Sequence, residues 1–118
     1  MEENLIKEKS FDFAIRIINL SKFLKEHHKE FDLSRQLIRS GTSIGALYRE
    51  AQYAESKADF IHKLAIAQKE CNETIYWLDL LQATNYLDEG QHNSIHNDAV
   101  SLLKIITSIL KTSKKNNQ

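Results

Sequence analysis

Leu37-Ile38-Arg39-Ser40-Gly41-Thr42-Ser43-Ile44-Gly45-Ala46 is the stretch on which the fold turns. As a glycine-rich loop it would interrupt the chain and offer a cradle for phosphate; as helix it completes one of four long helical segments. Each glycine costs a helix about 1 kcal/mol against alanine, and serine and threonine compete for backbone hydrogen bonds. The phosphate reading lacks its own requirements: the glycine spacing differs from a P-loop, no Gly-Lys-Ser/Thr follows, and no strand precedes. The surrounding apolar residues keep helical phase, with Leu33, Leu37, Ile44, Leu47, Tyr48 and Ala51 sharing a side. A helix is therefore predicted, its small side chains letting another helix approach closely, within the bundle or between subunits. On that account Gly41 and Gly45 are candidate contact points between chains.

Outward from this stretch, helical periodicity predicts segments at about 11–28, 33–54, 58–83 and 93–112, followed by a polar tail at 113–118 that should fray. Candidate N-caps are Ser10 or Asp12, Ser34, and Ser56 or Asp59; Asn85 and Gly90 mark the last break. Short connections between long helices imply antiparallel neighbours. The expected fold is all-α, an antiparallel up-down four-helix bundle forming one domain over residues 1–118.

Composition agrees. The 118 residues are 42% hydrophobic and 27% charged, and the absence of proline leaves long helices uninterrupted. Sixteen basic and sixteen acidic residues cancel, so any nucleic-acid or membrane partner would need a local patch. Cys71 is the lone cysteine, which excludes an internal disulfide and points to the cytoplasm. No apolar run approaches the roughly 18 residues of a membrane span, and no leader pattern opens the chain.

Two helices carry more apolar surface than one core needs. In the first, Phe13, Ile17, Leu20 and Leu24 form a core stripe, while Phe11, Ile15 and Ile18 form a second one well away from it. In the third, Phe60, Leu64, Ala67, Cys71, Ile75 and Leu78 share one face, with Ile66, Trp77 and Leu80 on the far side. Two burial surfaces suggest self-association, although one wide core face on a central helix would also accommodate the pattern of the third helix. The fourth helix has a single stripe, Ile95, Ala99, Leu102, Ile106, Ile109 and Leu110.

On the second helix Arg35, Arg39 and Arg49 fall within an arc of about 80° at 100° per residue, with Tyr53 beside them. Guanidinium binds phosphate bidentately and a ring stacks on bases, so this face is a candidate surface for nucleic acid or another partner. A solvated or salt-bridged face near Glu50 is the plainer account. His92 and His96 stand four apart, a spacing that holds one metal on a helix face, but two ligands do not make a site. No metal, cofactor or small-molecule substrate is expected. Cys71, on an apolar stripe, reads as a small buried hydrophobe, and Glu70 and Glu73 as partners for Lys63 and Lys69 in ion pairs. No constellation supports catalysis.

Phe11-Asp-Phe-Ala14, the 37–46 stretch, Glu50-Ala51, Ala54, Ser56-Lys57, Asp59-Phe-Ile61, Lys63-Leu64, Ala67, Lys69-Glu70, Glu73-Thr74 and Trp77-Leu78 together resemble a bacterial four-helix-bundle family encoded in intervening sequences of 23S rRNA genes. Leu47 departs from the family pattern, where asparagine is usual. The resemblance implies a closed homopentameric ring. It also implies kinship with accessory proteins of diversity-generating retroelements, which bind a reverse transcriptase and nucleic acid through basic surfaces. It brings no catalytic residue. The functional expectation is a homo-oligomeric binding protein, accessory to RNA or to a nucleic-acid-processing enzyme; the alternative is a scaffold ring with no nucleic-acid role.

Overall fold

The glycine-bearing stretch is helical throughout, and its polar side chains show how. Thr42 Oγ1 donates to the Ile38 carbonyl at 2.6 Å and Ser43 Oγ to the Ser40 carbonyl at 2.7 Å, so the hydroxyls bond their own helix instead of opening it. Ser40 and Thr74 place their hydroxyls 2.9 Å apart in the core, each also within reach of a carbonyl four residues back. Gly41 is buried: a Cβ there would lie 2.8 Å from Ile17 Cγ1 and 2.9 Å from Cγ2. At Gly45 it would lie 3.1 Å from Ser10 Oγ. Close approach of the first helix is what offsets the poor helix propensity. Gly41, expected at a contact between chains, is thus enclosed within its own.

In the computed structural model, which describes residues 2–116, there are four helices: α1 (Glu2–His28), α2 (Asp32–Gln52), α3 (Lys57–Ala83) and α4 (Glu89–Asn116). The described residues contain no strand. Neighbours pack α1 on α2, α2 on α3, α3 on α4 and α4 back on α1, while neither diagonal pair approaches closely. The result is a bundle measuring 49 × 22 × 19 Å. No described helix is long and apolar enough to cross a membrane.

Three boundaries differ from expectation. Helix α1 begins nine positions before Phe11 because its core stripe starts at Ile6, and Ser10, expected as a cap, continues that stripe as a small buried residue facing Gly45. Helix α4 runs through 113–116, with Ser113 buried, where a fraying tail was expected; residues 117–118 of that tail lie outside the described residues. Helix α4 also begins at Glu89, four positions before the expected 93, so Gly90, expected in the break, lies in its first turn; smaller shifts move α2 and α3 by one or two positions.

Three connections turn the chain. Ser34 lies inside α2 and is not its cap; the Glu30 carboxylate accepts from the Ser34 amide at 3.0 Å in its place. Ser56 caps α3, accepting from the Asp59 amide at 3.0 Å while Asp59 accepts from the Glu55 amide. Before α4 the same reciprocal arrangement joins Asp88 and Gln91, each amide donating to the other's side chain. Asn85, at φ 68°, makes the left-handed turn that ends α3.

The core is built from the predicted stripes. All six apolar residues expected on α4 are buried, as are Phe13, Ile17 and Leu24 of α1 and Leu64, Ala67, Cys71 and Leu78 of α3. Cys71 Sγ lies 3.3 Å from the Ala99 carbonyl, and burial pushes its thiol pKa up to about 12.

Candidate interaction surface

Phe11, Ile15 and Ile18 face solvent on α1 at 56%, 45% and 39% exposure. Helix periodicity forces this: with Ile6, Phe13, Ile17 and Leu24 turned inward, residues a half-turn away must face out. The trio is an apolar stripe on the outside of the bundle with no counterpart on α4, whose apolar residues turn inward. Its α3 companions are placed differently. Trp77 is half-buried and packs against the core, donating its indole N–H to Glu73 Oε2 at 3.2 Å. Ile66 and Leu80 are also partly buried, so the wide core face describes α3 better than a second exposed stripe. Tyr76, missed by periodicity, is exposed and meets Trp77 edge to face with centroids 5.2 Å apart.

The three arginines of α2 do not form one free cationic face. Arg39 swings onto α3, pairing with Glu73 and lying 3.4 Å from Glu70 Oε1. Glu73 therefore joins Arg39 and Trp77, and the lysines expected as its partners are engaged elsewhere or further off: Lys63 reaches Glu50 at 3.3 Å. That leaves Arg49 and Arg35, the latter in a loose, exposed ion pair with Asp32 at 3.9 Å; the two arginines stand fourteen residues and so about 21 Å apart along the helix. Arg49 sits over the Phe11 ring with its guanidinium carbon 5.9 Å from the centroid. Beside them is a groove of about 230 Å³ between α1 and α2, lined by Lys7, Thr42, Gly45, Ala46 and Arg49 among others. At the other end Arg35, Lys25 and exposed Phe31 line a second groove of about 220 Å³. Tyr53, 88% exposed, stands just beyond α2. The arrangement is two cationic–aromatic corners separated by a neutralised middle.

A further cluster lies at the α3–α4 corner. His92 Nε2 is 2.8 Å from Asp79 Oδ1 and His96 Nε2 is 3.9 Å from the same oxygen, the two imidazoles being stacked with centroids 4.8 Å apart. Sequence spacing finds the histidine pair; Asp79 comes from another helix, thirteen residues upstream of His92.

Four helices around a single core, with an apolar seam left outside on the first of them, define an all-α bundle protein. The chain belongs to the 23S rRNA-intervening sequence protein family, whose profile matches residues 2–108. It is similar to a crystal structure of a protein of unknown function from the S23 ribosomal protein family of Bacteroides thetaiotaomicron VPI-5482, with 55% identity, 94% of this chain and 99% of that chain covered, and a TM-score of 0.93. No curated protein matches it significantly.

Proposed function

We propose that this is a non-enzymatic, cytoplasmic binding protein that works as a homo-oligomeric ring of antiparallel bundles, a pentamer by family resemblance, and serves as accessory to RNA or to a nucleic-acid-processing protein. The observation that carries the reading is the exposed Phe11, Ile15, Ile18 stripe, apolar surface of a kind that marks contact sites. Supporting the antiparallel run, the partners across the α2–α3 and α3–α4 seams climb on one helix as they descend on the next: Lys63 with Glu50 and Arg39 with Glu73, Asp79 with His92 and Gln68 with Thr107. Supporting the partner, Arg49 and Lys7 border the stripe, so a ring would repeat weak cationic corners around an axis and strengthen phosphate binding by multivalency. Buried Cys71, its thiol held protonated, is unsuited to act as a nucleophile.

Light scattering on wild type and an Ile15→Glu variant tests the assembly: an oligomer should fall to a smaller species, and a monomeric wild type overturns it. RNA binding at two salt concentrations, for wild type and Arg35→Glu/Arg49→Glu, tests the partner. Binding that is absent, or equal in both proteins, overturns that part. The neutralisation of Arg39 favours a second reading, a scaffold ring that docks a protein without nucleic acid. A pull-down that survives nuclease and returns one protein would establish it.

A further inference from the structure

We propose that Asp79, His92 and His96 form a site for one zinc-class divalent ion at the corner where α3 gives way to α4. The short connection at 84–88 sets the last turns of α3 level with the first turns of α4, so the carboxylate meets two imidazoles spaced four residues apart on one helix face. A hydrogen bond explains His92 alone. His96 Nε2 lies too far from Asp79 Oδ1, at 3.9 Å, to bond it, yet it is directed at the same oxygen, and its ring stacks on that of His92. One donor atom from each residue lies within 4.8 Å of the others.

Metal bonds of about 2.0–2.1 Å at the tetrahedral angle require neighbouring donors about 3.3 Å apart. The observed 2.8 and 3.9 Å bracket that value, so the carboxylate must back away from His92 by about 0.5 Å and close on His96 by about 0.6 Å. Asp79 is half-exposed and can make that movement, while the two imidazole donors, within 4.8 Å of each other, must close to the same spacing through the partly exposed His96. His92 is the fixed member: its ring is buried, and Nδ1 has no hydrogen-bond partner, so its polar anchoring rests on the Nε2 that faces Asp79. Two imidazoles and one carboxylate suit zinc better than magnesium or calcium, which prefer all-oxygen shells. Three protein ligands leave a fourth position for water or for a donor from a bound partner. The ion would clamp α3 to α4 independently of the α1 stripe and the arginine corners.

The test uses the full chain without a histidine tag, stripped with chelator and titrated with Co2+, which Zn2+ then displaces. Expected are one ion per chain, the visible absorption of a low-coordinate Co2+ site, and a melting temperature raised by Zn2+ but not by Mg2+. Asp79→Asn and His96→Gln should each weaken binding by at least the roughly 10–100-fold that even an outer-sphere change costs. His62→Gln, at an exposed histidine elsewhere on α3, should bind as wild type. The proposal is overturned if wild type binds no Co2+ and Zn2+ leaves its melting temperature unchanged, if both site variants bind as tightly as wild type, or if His62→Gln loses binding equally.

Discussion

Replacing Gly41 with alanine sets two opposed effects against each other, and their sizes decide the sign. Helix propensity favours alanine by about 1 kcal/mol inside a helix. Against it, the new methyl would stand 2.8 and 2.9 Å from Ile17 Cγ1 and Cγ2, and 3.2 Å from Cδ1. Ile17 is fully buried and has nowhere to retreat, so overpacking should cost about 1–3 kcal/mol. The net expectation is a loss of roughly 1 kcal/mol. At Gly90, whose added Cβ would meet only Asp88 Oδ1 at 3.5 Å, the same change should instead stabilise, by up to about 1 kcal/mol. Ile17 makes the cause identifiable. Ile17→Val removes only Cδ1, the farthest of the three atoms, and should rescue Gly41→Ala little. Ile17→Ala removes all three and costs about 2–5 kcal/mol alone. Combined with Gly41→Ala it should fall short of additivity by about 1–3 kcal/mol, the clash having vanished. Urea unfolding followed by far-UV circular dichroism at fixed protomer concentration measures all six variants, the four single changes and the two doubles. A Gly41→Ala protein at least as stable as wild type, or strict additivity with Ile17→Ala, would refute the close-approach account of this helix.

Cys71 adds a pH dependence. Its proton is held to about pH 12 in the fold, whereas the ordinary thiol releases it near pH 9.0. The unfolded chain therefore binds fewer protons above pH 9, and stability should fall as pH rises from there, by up to about 1.4 kcal/mol per pH unit; Cys71→Ala should lack that slope. Ser56→Ala removes the hydroxyl that accepts from the Asp59 amide and should lower stability by about 1 kcal/mol in the same urea assay. Arg39→Ala leaves Glu70 and Glu73 facing each other without a cation; because the arginine is half-exposed, the loss should be about 1 kcal/mol or less, and smaller in high salt.

The helices were legible because apolar spacing survives whatever a neighbour does: the α4 stripe and the outward α1 trio both follow from a period of 3.6. Ends were less legible. A serine ahead of an apolar run looks like a cap, and only the opposing Gly45 shows Ser10 to be a small core residue. Asn85 and Gly90 carry the composition of a break, yet Gly90 lies inside α4 and the cap is Asp88, whose role depends on Gln91 three positions on. The surface was harder still. A helical wheel fixes the angle at which Arg39 leaves α2, but the glutamates that capture its long side chain sit more than thirty positions away on α3. Asp79 likewise joins the histidines only once the corner has folded.

Glu73 holds Arg39 and Trp77 together across the seam between α2 and α3. Because Trp77 is the sole tryptophan, its fluorescence is a built-in reporter for that seam. A partner that pries α2 from α3 or takes Arg39 from its glutamates would change the emission, whereas one that covers the apolar stripe of α1 would leave it nearly unaltered. The protein thus carries, without any added label, an optical means of telling which of its faces has been engaged.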